Sequence, residues 1–365
     1  MADVIPGVPG HRVPYETTKE LRALVGEIAG THKTAFPGAQ PISFTKSGSI
    51  PELMTSNYYV CEKSDGVRVL VLMLVRDKYP QTYFITRKNE YLFAPHVAFP
   101  VPNNPRFDQF HDRTLIDAEL VIDVEPDGRQ VMKLLGFDTL VVNGFNCMER
   151  TLDKRLGYLN SHIFDPYKRL CAMNREFAVK QPFMVEMKKF EFSYGVERIY
   201  STIIPQLKHK SDGLIFTSQV APYTPGTCEK IIKWKPANEN SIDFKIRVQR
   251  SQATGQPEVL LYTWHGSQDY QYYDKLAMTQ DDWNKHFGSK PQVDGLIVEA
   301  VYDPEHCPPA KWKFMRFRDD KPHGNHISVV SKIIESIGDS VELNELIGFM
   351  PLMRSNWKQR NNLQT

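Results

Sequence analysis

The sequence has little cysteine, no long apolar run and almost no net charge, and each shortage excludes something. Five cysteines (Cys61, Cys147, Cys171, Cys228 and Cys307) are scattered through 365 residues without paired spacing, which argues against a zinc site or a disulfide framework and for a reducing compartment. The longest apolar stretch, Val67 to Val75, is broken by Arg68 and is far too short to span a bilayer. Met1 to Gly10 lacks both the charged and the apolar region of a secretory leader, so the expectation is a chain neither secreted nor membrane-spanning. Lysine and arginine number 45 against 43 acidic residues, a formal charge of +2, which excludes coating a polyanion through a global positive field. Any contact with a polyanion must be local. There is also no Gly-rich Walker loop, no kinase signature, no histidine at metal spacing and no long-period repeat.

What is present is a succession of strands. Thr17-Thr18-Lys19-Glu20 reads as a capping box opening a short helix through Leu21, Leu24, Val25 and Ile28, stopped at Gly30. Strands are expected at about 58 to 63, 67 to 76, 82 to 88, 114 to 124 and 130 to 143, spaced closely enough to favour antiparallel pairing. Leu152, Leu156, Leu159 and Ile163 form a helical face; strands return near 183 to 190, 213 to 218 and 231 to 235, with a helix near 194 to 207. Five further segments, about 241 to 249, 258 to 264, 270 to 275, 295 to 302 and 311 to 317, suit a small Greek-key barrel of the OB type. Val329, Val330, Ile333, Ile334 and Ile337 outline a terminal helix, and 355 to 365 reads as a frayed tail. The fold class expected is α+β, with three divisions: an antiparallel-sheet domain over 1–237, an OB-fold domain over 238–322, and a helical segment over 323–365 packing back on the first domain.

The chemistry centres on Cys61-Glu62-Lys63-Ser64-Asp65-Gly66-Val67-Arg68, where a lysine stands at the end of a buried strand just before a tight turn. Asp117-Ala118-Glu119 puts two carboxylates on one face of a strand. Ser211-Asp212-Gly213 is an acidic turn entering an apolar strand, and Lys233-Trp234-Lys235 sets two lysines on one strand face with an indole opposite. Trp312 to Lys321 is a basic strand interleaved with aromatics; Trp234 and Trp312 themselves read as packing residues. One nucleophilic amine, acids able to hold a hard divalent cation and several fixed cations make a phosphoryl-centre site. Without a Walker loop, Lys63 itself becomes the acceptor of the phosphoryl group, as a phosphoramidate.

In order and spacing these segments, from Lys63 to Lys321, resemble the covalent nucleotidyltransferase superfamily of mRNA capping enzymes and polynucleotide ligases, and within it fungal mRNA guanylyltransferases. The resemblance implies a GTP-dependent nucleotidyltransferase with magnesium or manganese as cofactor, in which Lys63 carries GMP and Glu119 and Asp212 serve the metal. It implies that Arg68 and Arg87 hold the ribose or its neighbouring phosphate, that Phe137 and Ile215 sandwich guanine, and that Lys188 meets the base edge. Lys189 is adjacent, and a one-residue slip in register would exchange the two. Lys233 and Lys235 would meet the α-phosphate, and Arg316, Arg318, Asp320 and Lys321 the β- and γ-phosphates. Ala118 departs from the glycine frequent between the two acids, a small-for-small change. Asp294-Gly295-Leu296-Ile297 repeats the string that begins at Asp212 but is not followed by a Lys-Trp-Lys strand, so Asp294 is taken as an ordinary hairpin acid. The partners implied are 5′-diphosphate nascent mRNA, a separate RNA 5′-triphosphatase, the phosphorylated C-terminal repeat of RNA polymerase II and its elongation machinery, in the nucleus. An ATP-dependent RNA or DNA ligase, or a catalytically silent RNA- or polymerase-binding module on the same fold, are the alternatives.

Overall fold

The computed structural model describes residues 5–31, 35–236, 240–251, 255–288, 290, 292–303 and 310–362. Cys307, the boundary expected at 237/238 and the last residues of the expected frayed tail lie outside them. The chain divides into two compact units, one of Met1–Ser43, Pro51–Trp234 and Ile347–Thr365, the other of Phe44–Ile50 and Lys235–Leu346.

In the larger unit the strands that position the site are Ala39–Ser43 (β1), Tyr58–Ser64 (β2), Val67–Arg76 (β3), Tyr79–Thr86 (β4), Thr114–Val124 (β5), Gln130–Val142 (β6), Met184–Met187 (β7), Ser211–Ser218 (β8) and Gly226–Trp234 (β9). An eight-stranded sheet contains β4-β3-β5-β6-β7 in that order, and a five-stranded sheet contains β2-β8-β9-β1. The uninterrupted apolar run of β3 is explained by burial on both faces. Val69, Val71 and Met73 pack with Ile116, Leu120, Leu159, Ile163 and Phe164 on one side; Leu70, Leu72 and Leu74 pack with Leu21, Val25, Leu115 and Leu140 on the other.

Several local expectations are corrected. The first helix, Tyr15–Ile28, starts ahead of the expected capping box with Pro14 at its N-cap, and the Thr18 hydroxyl donates to Pro14 O at 3.0 Å. Asp77 (φ 50°) and Lys78 (φ 70°) form a two-residue mirror-image turn, so β4 begins at Tyr79 opposite Arg76 rather than near 82. The region near 194 to 207 is a series of short helical turns, Ser193–Gly195, Val196–Arg198, Ile199–Ile203 and Ile204–Gln206, with a proline in the last. Most pairings are antiparallel, but β7 joins β6 and β1 joins β9 in parallel.

In the smaller unit Ser241–Arg250 (β10), Pro257–Gly266 (β11), Asp269–Ala277 (β12), Ile297–Tyr302 (β13) and Trp312–Phe317 (β14) close a barrel in the order β10-β11-β12-β14-β13. This is the OB-like arrangement read from the strand pattern. Ile242, Phe244, Ile246, Val259, Leu261, Val298, Ala300 and Trp312 fill it. The expected single segment 323–365 divides. Helix Ile327–Gly338 inserts Val330 into the barrel's apolar cluster and therefore belongs to the smaller unit. Helix Met350–Asn362 belongs to the larger unit and is not frayed over its described residues. Arg360 donates to Asn57 Oδ1 at 2.9 Å and to Met54 O at 2.6 Å, and the Trp357 ring lies 4.8 Å from that of Phe192. Among the described residues no helix is long and apolar enough to cross a membrane.

Candidate active site

The lysine strand β2 runs antiparallel to β8, Cys61 opposite Ile215 and Glu62 opposite Leu214, and β8 sets Ile215 opposite Lys233 of β9. Side chains alternate along a strand, so Cys61, Lys63, Ile215 and Lys233 share one face while Glu62 and Ser64 take the other. Lys63 Nζ donates to Asp212 Oδ1 at 2.5 Å, the two side chains being 25% and 17% exposed. The amine is thus held by one carboxylate yet reachable. Gly66, after it, does not adopt the left-handed backbone expected of a tight Asp-Gly turn. It is needed for room: a Cβ there would stand 2.2 Å from Leu120 O, so the chain after Lys63 lies directly against β5.

The two acids of β5 have different duties. Arg68 stands opposite Glu119, and Leu70 opposite Asp117. Asp117 is wholly buried and receives Arg68 Nε at 2.9 Å, Arg68 Nη2 at 2.6 Å and the Tyr223 hydroxyl at 2.5 Å. Arg68 Nη1 also donates to Ala39 O at 2.5 Å. Burial opposes the guanidinium charge, but Asp117 outweighs it and holds Arg68 above its ordinary value, while burial and the same carboxylate push the Tyr223 hydroxyl well up. Glu119 is left facing the site, with Lys188 Nζ 3.7 Å away. Burial pushes the Glu119 carboxyl up, against the pull of Lys188, Lys63 and Arg68.

A bulge sets the aromatic. Asp117 pairs with Asp138 but Ala118 pairs with Gly136, so Phe137 is the extra residue of β6. Its ring comes 5.6 Å from the Arg68 guanidinium and 5.8 Å from Lys188 Nζ. Gly136 leaves no space for a side chain, since a Cβ would fall 2.6 Å from the Phe164 ring. Beside the bulge, Asp138 receives Arg155 Nε at 2.7 Å and Nη2 at 3.1 Å in a pair that is almost wholly buried. The register of β7, Met187 opposite Gly136, decides between the adjacent lysines. Lys188 is buried and donates to Glu62 O at 3.2 Å, whereas Lys189 is exposed. Burial alone would lower the Lys188 ammonium, but the Glu62 and Glu119 carboxylates hold it above the usual lysine value.

Lys63, Arg68, Glu119, Phe137, Lys188, Asp212, Ile215 and Lys233 are therefore all carried on, or directly after, strands of the two sheets of one unit. Arg87 is exposed beyond the end of β4 and donates to Gln40 Oε1 at 3.0 Å. Lys235 follows β9 and falls with the smaller unit. So do Arg316, Arg318, Asp320 and Lys321, and the three cations among them rest on carboxylates of the barrel itself. Arg316 Nε lies 2.7 Å from Glu299, Arg318 Nη1 3.1 Å from Asp243 and 3.3 Å from Glu299, and Lys321 Nζ pairs with Asp243. Arg318 also grips Asp320 with two bonds of 2.8 Å, holding that carboxyl far below the usual range. The repeated string at Asp294 behaves as loop structure: Asp294 Oδ1 accepts Val248 N–H at 2.8 Å.

Sequence reasoning missed Asp243 and Glu299, and the signal was there. Each is a single acid amid apolar neighbours in a strand, Ile242-Asp243-Phe244 and Val298-Glu299-Ala300, where a charge must find cations. It also missed Tyr223 as a member of the Arg68–Asp117 network. Among the described residues no three His, Cys, Asp or Glu side chains converge to hold a metal by themselves. Glu119 and Asp212 still suit a hard cation that takes one or two carboxylates and completes its shell with phosphate oxygens.

Residues 5–237 match the family described as mRNA capping enzyme, catalytic domain, and residues 239–347 match mRNA capping enzyme, C-terminal domain. The chain is 38% identical to the mRNA-capping enzyme subunit alpha of Neurospora crassa, over 96% of this chain and 93% of that one. It is 36% identical to the protein so named in Yarrowia lipolytica, over 99% and 94%, and 34% identical to that of Schizosaccharomyces pombe, over 97% and 89%. With a lysine held by an acid, a second acid, a flanking aromatic and a strand-borne cation assembled on this fold, the chain belongs to the mRNA capping enzyme family and is an mRNA guanylyltransferase.

Proposed function

We propose that Lys63 is the nucleophile of a two-step transfer. In the first step Nζ, having lost its proton, bonds to the α-phosphorus of GTP, the bridging P–O bond breaks and pyrophosphate leaves. In the second, a terminal oxygen of a 5′-diphosphate RNA end bonds to that phosphorus, the N–P bond breaks, and a 5′-5′ triphosphate-linked guanosine cap results. The observation that carries this is the Lys63–Asp212 contact of 2.5 Å at a partly open strand end flanked by Glu119, Lys188 and Phe137.

The residues take the following parts in this reading. Phe137 and Ile215 flank the guanine, and Lys188 meets its edge. Arg68 has one Nη1 hydrogen left for the ribose after its bonds to Asp117, Tyr223 and Ala39, and Arg87 supplies an exposed guanidinium. Lys233 and Lys235 face the α-phosphate. Magnesium or manganese, held by Glu119 and Asp212, would offset negative charge on the phosphates. Arg316, Arg318, Asp320 and Lys321 serve the β- and γ-phosphates. The name subunit alpha of the relatives supports a second polypeptide, which we take to be the RNA 5′-triphosphatase. Recruitment to the phosphorylated C-terminal repeat of RNA polymerase II and to its elongation machinery, in the nucleus, completes the proposal.

The test is incubation with α-labelled GTP and magnesium followed by denaturing electrophoresis. An acid-labile, alkali-stable label on the chain, with far less from ATP at the same concentration, is the expected result. Labelling by ATP and not GTP would make it a ligase, and no label from folded protein would make it a silent binding module. Arg318→Ala separates the steps. Because it removes a cation assigned to the departing phosphates, adduct formation should fall about a hundredfold while transfer from preformed adduct changes less than about threefold. Equal losses in both steps would remove Arg318 from that role.

A further inference from the structure

The face of β2 turned away from Lys63 carries two buried polar side chains, Glu62 and Ser64, at 3% and 2% exposure. Buried groups of this kind need partners, and theirs form a continuous row. Ser64 Oγ donates to Glu62 Oε1 at 3.2 Å, and His209 Nε2 lies 3.4 Å from the same Oγ. His209 Nδ1 is 2.6 Å from Asp123 Oδ1, and Asp123 Oδ2 is 2.8 Å from Lys133 Nζ, which also reaches Glu186 at 2.9 Å. At the other end Lys188 Nζ donates to Glu62 O at 3.2 Å and stands 3.7 Å from both Glu62 Oε1 and Glu119 Oε2. A cavity of about 140 Å³ runs beside the row, lined in part by Glu62, Asp123, Lys133, Lys188 and His209.

The Lys188 ammonium is thus suspended between two carboxylates, and its aim depends on where they are. The reaction proposed above engages Glu119, which leaves Glu62 to hold Lys188. Glu62 is in turn fixed by Ser64, and Ser64 by the His209 ring braced on Asp123. We propose that Glu62 is the positioning residue for base selection, aiming Lys188 at the guanine through a brace of Ser64, His209 and Asp123. This rests on the reading that Lys188 meets the base edge. Guanine presents an acceptor at O6 where adenine presents a donor at N6, so a fixed ammonium favours the first and mismatches the second. An ammonium free to wander loses that preference, while the reacting atoms at Lys63, on the opposite face of β2, are little disturbed.

The experiment measures adduct formation with GTP and with ATP separately, in the full chain. Glu62→Gln should lower the GTP-to-ATP ratio of kcat/KM about tenfold, through a raised KM for GTP, with kcat for GTP within about threefold of wild type. His209→Ala should move the ratio the same way, and His209→Gln, whose amide can donate to Ser64, should recover part of it. Thermal unfolding of each variant is followed in parallel, and Ser64→Ala carries the test if Glu62→Gln does not fold. An unchanged ratio, or a kcat that falls alike for both nucleotides, overturns the inference and leaves the row a structural prop. Lys188→Ala separates the two failures: if it too leaves the GTP-to-ATP ratio unchanged, the reading of Lys188 falls first and this inference with it, whereas a ratio lowered by Lys188→Ala but not by Glu62→Gln overturns this inference alone.

Discussion

Lys63→Ala protein, folded and given labelled GTP with magnesium, should carry no nucleotide after denaturation. The loss exceeds about ten-thousand-fold, because it removes the atom that forms the bond rather than one that assists it. Lys63→Arg should fail equally. A guanidinium stays protonated at any workable pH and offers no lone pair for attack, so preserving the charge does not preserve the chemistry. Stability should scarcely respond to either change. The Lys63–Asp212 pair is partly open to solvent, and pairs of that kind contribute at most about 1 kcal/mol. Unfolding midpoints within about 3 °C of wild type, together with absent label, are therefore expected. A persistent adduct in the alanine variant would move the nucleophile elsewhere in the chain.

Asp138→Ala should have the opposite profile, a large loss of stability. Asp138 and Arg155 are exposed by only 4% and 2%, and the guanidinium further donates to Arg150 O at 2.5 Å and Ala221 O at 3.1 Å. One side chain therefore ties helix Leu152–Tyr158, the chain ahead of it and the loop before β9 to strand β6. Burial pushes the Asp138 carboxyl up, yet Arg155 is placed to keep it charged. Truncating the acid strands a buried cation, which costs about 3–5 kcal/mol. In a unit of this size the unfolding midpoint should fall by roughly 10 °C, read by calorimetry or fluorescence. Asp138→Asn, which keeps an acceptor, should lose distinctly less. A shift under about 2 °C for the alanine variant would mean that the helix is held by its apolar face alone.

The fold was legible where one strand carries its own pattern. The apolar run of β3 announces burial on both faces, and alternation along Ser241–Arg250, Pro257–Gly266 and Trp312–Phe317 announces a barrel wall. The candidate site was legible only as a set: Lys63, Glu119, Asp212 and Lys233 stand in short local strings, each weak by itself, whose combination points to phosphoryl chemistry. What escaped depends on two segments at once. That Phe137 occupies a bulge follows only from counting β5 against β6, and that Lys188 rather than Lys189 turns inward follows from the register of β7 on β6. The Arg68–Asp117–Tyr223 network joins residues over a hundred positions apart, and no local pattern encodes it. The strand pattern around Arg316, Arg318 and Lys321 gives no sign that Asp243 and Glu299 pair with these cations. A strand pattern shows that a charge is buried but not which charge it meets.

The five-stranded sheet has a consequence for the order in which the molecule is made. β2, which carries Lys63, finds its hydrogen-bonding neighbours in β8 and in Glu191–Phe192, and among the described residues β1 pairs with β9 alone. As the chain leaves the ribosome, β3 can pair with β4 and β5 with β6 across short turns, whereas the lysine strand must wait for its full pairing until residue 218 has emerged and the sheet's other edge until residue 233. The reactive amine is therefore fixed later in synthesis than the strands β3 to β6 that lie beside it. A chain interrupted before β8 would hold most of its apolar core without an assembled centre.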